Sequence, residues 1–189
     1  MRRSSPWVAC SAQRPARLRT ILRYVQVAAL SYTSRMRASA DFSYRSDPQV
    51  PGFDDRFPIA LMDAECALCC FGARMIDRLD RSGEIRICPV QTVLGRALLS
   101  HYGLRVDSPE TWLLLERGQV LGDFEALIRV GERSGGWGRA FCLLRIVPRP
   151  LRKRLYGWIA RNRYRWFGRG DLCALPAASL HARLIRDPP

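Results

Sequence analysis

The chain has 189 residues, of which 48% are hydrophobic and 25% are charged, and its formal net charge is +14. These proportions are typical of a globular domain and exclude a wholly disordered chain. No run approaches the roughly 18–20 apolar residues that a membrane-spanning helix needs, so we expect a soluble protein without a transmembrane segment.

The first segment, residues 1–55, is predicted to be a basic tail. Residues 1–45 carry nine arginines and one acid, Asp41, and contribute +8 of the net charge. This composition is typical of a disordered tail, of a start assigned too far upstream, of an organellar transit peptide or of a basic binding arm. We expect a cytoplasmic protein if the source is bacterial, and organellar targeting is the alternative if it is eukaryotic.

Strands and helices alternate after this tail. Residues 57–62 form a short apolar run that predicts a buried strand. A helix should follow and end near Asp80, before a Ser-Gly pair. Residues 85–89 alternate in polarity like a strand, and residues 92–102 predict a second helix.

The second half of the chain continues the alternation. Residues 111–115 form the strongest predicted strand, and the turn after them predicts a hairpin with residues 120–121. Residues 123–133 predict a helix, and further helical segments are expected over residues 139–147 and 151–163. The whole pattern indicates an α/β domain.

The motif Cys66-Ala-Leu-Cys69 lies where the first predicted strand gives way to a helix. The first amides of a helix lack partners within the helix and point toward its positive end. A thiolate there is stabilised, and its pKa can fall from about 8.5 to roughly 3.5–7.5. Cys66 is therefore the expected nucleophile. Cys69, one turn further on, is expected to resolve the mixed disulfide.

Asp63 follows the strand, three residues before Cys66. A carboxylate here either caps the helix or its first turn, or relays a proton to and from the thiols, and the sequence supports both. Glu65 is adjacent, and its charge partly opposes thiolate formation at Cys66. Asp63 joins Cys66 and Cys69 as a candidate catalytic residue.

The pattern Asp63-x-x-Cys66-x-x-Cys69 after a short apolar strand resembles the signature of the DCC family of predicted thiol–disulfide oxidoreductases. The similarity continues in order through residues 89–91, 95–99, 147–151, 161–168 and 171–176. It covers about residues 57–178. The resemblance implies a thioredoxin-like fold and protein-disulfide reductase activity.

Two positions depart from the family pattern. Ala64 stands where the family usually has glycine, which restricts this turn to negative φ. Cys70 stands where asparagine is common, and it either packs as a small apolar residue, as free cysteines usually do, or competes with Cys69. Thioredoxins place a cis-proline before the strand that faces the cysteines. Here Glu110 falls at that position and Pro109 one residue earlier, so we do not expect a cis bond.

The seven cysteines are an odd number with irregular spacing, which favours a reducing compartment with one special pair over a secreted disulfide scaffold. A zinc site is the first alternative, with thiolates from Cys66, Cys69, Cys70 and Cys88. No second CxxC or CxxH accompanies them, so we expect no metal and no organic cofactor. The remaining cysteines are expected to be inert: Cys10, Cys88, Cys142 and Cys173.

Residues 149–169 interleave arginines with aromatic residues. Such a segment could contact an anionic membrane or nucleic acid, so a non-catalytic binding module is the alternative function. The simpler interpretation is an amphipathic helix with Arg152 and Lys153 in solvent, and it implies no specific nucleic-acid partner. Its buried face would consist of Leu151, Leu155, Trp158 and Ile159.

The sequence thus predicts one thioredoxin-like α/β domain over residues 56–178, with a small central sheet flanked by helices and a helical C-terminal extension. Residues 179–189 would form a tail. We expect a thiol–disulfide oxidoreductase of the protein-disulfide reductase type. Its partners would be a disulfide-containing protein or small thiol substrate and an electron donor that the sequence does not identify.

Overall fold

The fold was analysed in a computed structural model, which describes residues 40–106, 112–172, 174 and 177–187. The predicted tail over residues 1–39 lies outside the described residues. So do three further positions on which predictions were made: Pro109, Glu110 and Cys173.

The described elements follow the predicted alternation of strands and helices. The strands are β1 (Ile59–Met62), β2 (Arg86–Pro89), β3 (Leu113–Glu116) and β4 (Gln119–Gly122). The α-helices are α1 (Ala67–Leu79), α2 (Val93–His101), α3 (Asp123–Ser134), α4 (Arg149–Phe167) and α5 (Ala178–Arg183). Two 3-10 helices cover Ser43–Ser46 and Gly136–Ile146, the second in place of the helix expected over residues 139–147.

The strands form one sheet in the order β2-β1-β3-β4. β1 pairs in parallel with β2 and antiparallel with β3, and β3 pairs antiparallel with β4 through the predicted hairpin. Ala60 stands opposite Ile87 on one side and Leu114 on the other. A four-stranded sheet flanked by helices is the predicted α/β class and is consistent with a thioredoxin-like fold.

The core explains why β1 reads as an uninterrupted apolar run. All four β1 residues are buried because the strand is central in the sheet. On α1, Ala73 and Ile76 lie three residues apart and join the same core. The close approach of α2 to β2 requires a glycine, because a Cβ on Gly95 would stand 2.3 Å from the carbonyl oxygen of Pro89. The C-terminal end of β1, which leads into the candidate site, is thus fixed by α1 and by the packing of α2 against the neighbouring strand β2.

Residues 40–55, which the sequence analysis assigned to the tail, pack against the domain. The Phe42 N–H donates to the carbonyl of Gly118 in the β3–β4 turn at 2.9 Å. Tyr44 is buried, and its hydroxyl donates to Asp55 at 2.9 Å. An aromatic anchor within an arginine-rich segment gives no periodic signal, which is why composition alone grouped these residues with the tail.

The end of the chain also differs from the expected tail over residues 179–189. Leu180 of α5 is fully buried in the core. Arg183 reaches Asp80 at 2.7 Å and Asp77 at 3.0 Å. The Ile185 N–H then donates to the carbonyl of Ile87 in β2 at 2.8 Å. The segment is therefore part of the fold, secured by an apolar anchor and a buried ion pair.

Helix α4 presents a different face to the protein from the one predicted. Leu151, Leu155 and Trp158 are exposed, and Ile159 is half-buried. Of the two residues expected in solvent, Arg152 is buried and Lys153 is half-buried. Arg152 forms an ion pair with Glu125 of α3 at 2.9 Å. A second buried arginine, Arg163, forms an ion pair with Asp63, the residue after β1. These ion pairs orient the helix, and neither can be recognised from the spacing of apolar residues.

None of the helices in the described part of the chain combines the length and hydrophobicity that crossing a bilayer requires.

Candidate active site

The two cysteines of the CxxC motif lie at the start of α1, as predicted. Cys66 is the N-cap residue, with an extended backbone, and the first helical residue is Ala67. The Cys70 N–H donates to the carbonyl of Cys66 at 2.9 Å, which closes the first turn. Cys69 therefore lies one turn into the helix. Both are free thiols, as are the other cysteines in the described ranges.

The pKa values of the two thiols are shifted in opposite directions. The Cys69 thiol donates a hydrogen bond to Cys66, and the first-turn amides of Leu68 and Cys69 add to its effect. Together with the charge of Arg163, they lower the pKa of Cys66 to about 6, although burial opposes the shift. The same hydrogen bond, with burial, raises the pKa of Cys69. These opposite shifts favour a thiolate at Cys66 and a protonated thiol at Cys69.

Asp63 lies at the centre of a buried polar network beside these thiols. Its carboxylate accepts hydrogen bonds from Gln91 at 2.8 Å and Arg163 at 2.9 Å. The Tyr164 hydroxyl donates to it as well. The Glu65 N–H also donates to it at 3.0 Å. Burial raises the pKa of Asp63, but these hydrogen bonds outweigh burial and hold the pKa below its usual value.

The geometry refines the first expectation for Asp63. The N-cap of α1 is Cys66, so Asp63 does not cap the helix and instead fixes the turn before it. Gln91 also binds this turn, since its side-chain oxygen accepts from the Ala64 N–H at 3.1 Å. The hydrogen bond to Cys66 and burial are the main causes of the raised pKa of Cys69, and the negative charge of Asp63 adds a smaller contribution in the same direction. Proton relay by Asp63 stays a prediction.

Three members of the network were not identified as site residues from the sequence: Gln91, Arg163 and Tyr164. Arg163 and Tyr164 lie about a hundred residues after Asp63 in the chain. The available signal was the family resemblance, whose segments 89–91 and 161–168 contain all three.

A short segment, residues 168–172, covers the CxxC turn, and we call it the strap. Its Gly170 N–H donates to the carbonyl of Glu65 at 3.0 Å. The Ala67 N–H donates to the carbonyl of Gly168 at 3.3 Å. Arg169 forms an antiparallel bridge with Cys66, which is fully buried. The strap therefore pairs with the backbone of the CxxC turn and contributes to the burial of Cys66.

The neighbouring cysteines have structural environments. Cys70 is buried and donates to the carbonyl of Ala64 at 3.5 Å, and burial raises its pKa. Cys88 is buried in β2, and burial raises its pKa to about 11. Both are poor nucleophiles, which fits packing as the expected role of Cys70.

The four-thiolate zinc site considered for Cys66, Cys69, Cys70 and Cys88 has no counterpart in the structure. Over the described ranges, no group of three or more histidine, cysteine or acidic side chains is arranged to hold a metal ion.

Comparison with known proteins identifies the family. The profile of the DCC1-like thiol-disulfide oxidoreductase family matches residues 60–169. The chain belongs to this family. The matched region begins in β1 and ends in the strap. It contains Asp63, both CxxC cysteines, and Arg163 and Tyr164 of α4.

Two curated proteins share this DCC1-like sequence. The uncharacterized protein YuxK of Bacillus subtilis is 35% identical over 127 residues, covering 67% of this chain and 93% of YuxK. A DCC family protein of Arabidopsis thaliana, described as chloroplastic, is 31% identical over 123 residues, covering 65% of this chain and 72% of that protein. No solved structure matches the chain. The DCC family assignment predicted from the sequence is confirmed.

Proposed function

We propose that the protein is a thiol–disulfide oxidoreductase of the protein-disulfide reductase type, with Cys66 as the nucleophile and Cys69 as the resolving thiol. The observation that carries the proposal is the position of Cys66 at the N-cap of α1, with the Cys69 thiol one turn further into the helix. The Cys66 sulfur lies at the N-terminus of α1 and accepts the Cys69 hydrogen bond, which lowers its pKa to about 6. A thiolate is the reactive form in disulfide exchange.

The proposed reaction has two exchanges. The Cys66 thiolate attacks one sulfur of the substrate disulfide, whose S–S bond breaks, and the departing thiolate takes up a proton. A mixed disulfide then joins Cys66 to the substrate. Cys69, as a thiolate, attacks the Cys66 sulfur and releases the second substrate thiol. The enzyme has given two electrons and holds a 66–69 disulfide, which a dithiol or thiol donor must reduce.

Asp63 has a separate task in each half of this cycle. Before exchange, its charge adds to the hydrogen bond and the burial that raise the pKa of Cys69, and the protonated Cys69 donates a hydrogen bond to the thiolate. Once the mixed disulfide forms, the thiolate charge at Cys66 is gone, and Cys69 must lose its proton to attack. We assign Asp63 as the group that accepts this proton.

The test combines redox titration with single-cysteine variants. The full chain is equilibrated in glutathione buffers, and the thiols are counted by mass spectrometry after alkylation. The wild type should form a 66–69 bridge. Cys66→Ser should abolish reduction of a protein disulfide with dithiothreitol as donor, and Cys69→Ser should accumulate a mixed disulfide at Cys66.

Cys142→Ser is the matched control, because Cys142 is a half-buried free cysteine outside the site. It should retain wild-type activity and the same redox midpoint. The proposal fails if the bridge never forms across the buffer series, or if Cys66→Ser reduces the substrate as fast as the control.

A further inference from the structure

An apolar pocket of about 330 Å³ opens beside the CxxC site. Helices α1, α3 and α4 form its walls, and Met62 of β1 and Trp112 close its inner end. Cys69 and Asp63 also line it, so the pocket is continuous with the thiol site. Its volume is at the lower end of those of small-ligand sites in proteins.

The lining is almost entirely hydrophobic. Phe71 on α1 and Phe167 on α4 stand at the surface, 52% and 49% exposed. Leu127 and Met75 lie deeper and are only partly buried. Large apolar side chains left partly exposed around a concavity favour burial of an apolar group from another molecule.

One polar group in the pocket lacks a partner. The Arg163 side chain is only 7% exposed, and its terminal nitrogens donate to Asp63 and to the carbonyl of Ala160. Its Nε has no hydrogen-bond partner among the described residues. An unsatisfied buried donor is costly, so Arg163 is a polar residue of the lining with hydrogen-bonding capacity that the described residues leave unused.

We propose that this pocket is a specificity site that receives a large apolar side chain next to the disulfide of a protein substrate, an inference that rests on the proposed reductase function. Continuity with Cys69 favours a substrate segment over an unrelated ligand, because a side chain held here brings its neighbouring sulfur to the CxxC turn. Apolar flanking residues then raise the rate of reduction.

The test uses three peptides that carry one disulfide and differ only in the residue flanking a cysteine: alanine, leucine or phenylalanine. We expect kcat/KM to rise from alanine to phenylalanine by at least about tenfold, as expected for burial of a large side chain. Leu127→Trp fills the pocket and should abolish this preference, so that the three peptides are reduced at similar rates. Phe71→Ser, at the exposed rim, should reduce the preference without a risk to folding.

Leu143→Trp is the matched control, because Leu143 is 65% exposed and lies outside the pocket. It should keep the wild-type preference. Equal rates on the three peptides overturn this inference but leave the reductase function intact, whereas no reduction of any peptide overturns the function itself. Decanoate binding that quenches tryptophan fluorescence, without any peptide preference, would overturn the substrate assignment in favour of a small amphipathic ligand.

Discussion

Asp63 and Arg163 form a buried ion pair, with side chains 5% and 7% exposed. Removing one partner of such a pair leaves the other charge uncompensated and typically costs about 3–5 kcal/mol. Asp63→Asn should therefore lower the free energy of unfolding by about that amount. It should also lower the pKa of Cys69, because the lost charge is one that raises it.

Urea unfolding measures the first effect, and thiolate ultraviolet absorbance against pH measures the second. Asp54→Asn is the control, since the Asp54–Arg56 pair is solvent-exposed. A surface pair contributes only about 0–1 kcal/mol. Equal stability losses in the two variants would contradict the importance assigned to the buried pair.

The acidity of Cys66 also predicts a pH dependence. Its folded pKa of about 6 lies below the value of about 8.5 for an ordinary cysteine, so ionisation stabilises the folded state. This stabilisation is complete above about pH 8.5 and is lost as the pH falls through about 6. The rate of Cys66 alkylation by iodoacetamide should accordingly rise with a midpoint near pH 6.

The cause of that acidity is tested by the partner residue. Cys69→Ala removes the hydrogen bond that is the largest contribution to the lowered pKa, so the alkylation midpoint should move to higher pH. Cys69→Ser keeps a donor and should give an intermediate midpoint. A midpoint that stays the same in Cys69→Ala would assign the acidity to the helix amides and Arg163 alone.

At the scale of elements, the strap and α1 are coupled through one tight contact. A Cβ on Gly170 would stand 2.9 Å from the Ala67 Cα and 3.0 Å from the Cys70 sulfur. Gly170→Ala should therefore weaken strap closure, since overpacking typically costs about 1–3 kcal/mol. Because the strap buries Cys66, the variant should alkylate faster at Cys66 than the wild type.

Gly52→Ala is the control for that substitution, because a Cβ at Gly52 would meet nothing within 4 Å. It should alkylate at the wild-type rate. If Gly170→Ala and Gly52→Ala react equally, access to Cys66 does not depend on the strap.

The elements also show which parts of the site a sequence can predict. The position of Cys66 at the N-terminus of α1 was predictable because the strand, the CxxC motif and the helix follow one another in the chain, and each can be recognised from its own residues. The partners of Asp63 were not predictable from local signals, because Arg163 and Tyr164 come from a helix that begins 86 residues later, at Arg149. The predicted buried face of α4 was wrong for the same reason, because its buried arginines form ion pairs with residues far away in the sequence.

At the scale of the whole molecule, segments far apart in sequence assemble the site. The turn after β1 carries the thiols, the turn after β2 supplies Gln91, and α4 and the strap come from the last third of the chain. Loss of any one segment should therefore affect the thiols as well as stability. Residues 179–189 are not among these segments, and their contacts with Asp80 and β2 give them a role in stability that a tail would not have.

Truncation after residue 177 tests that role. It removes the buried Leu180, a loss that typically costs about 2–5 kcal/mol. It also removes Arg183, leaving Asp80, whose side chain is 1% exposed, without its buried partner, at about 3–5 kcal/mol. Domains of this size are usually stable by about 5–15 kcal/mol, so the truncated chain should lose most of its cooperative unfolding transition.

Point variants separate the contribution of the Arg183–Asp80 ion pair from that of Leu180 burial, and they provide the control. Arg183→Ala should lower the urea midpoint strongly, whereas Arg186→Ala, exposed on the same segment, should leave it near the wild-type value. Because Arg183 does not touch the thiols, the alkylation midpoint of folded Arg183→Ala should stay near pH 6. A truncated chain as stable as the full-length protein would contradict the packing of α5 against α1 and return residues 179–189 to the tail.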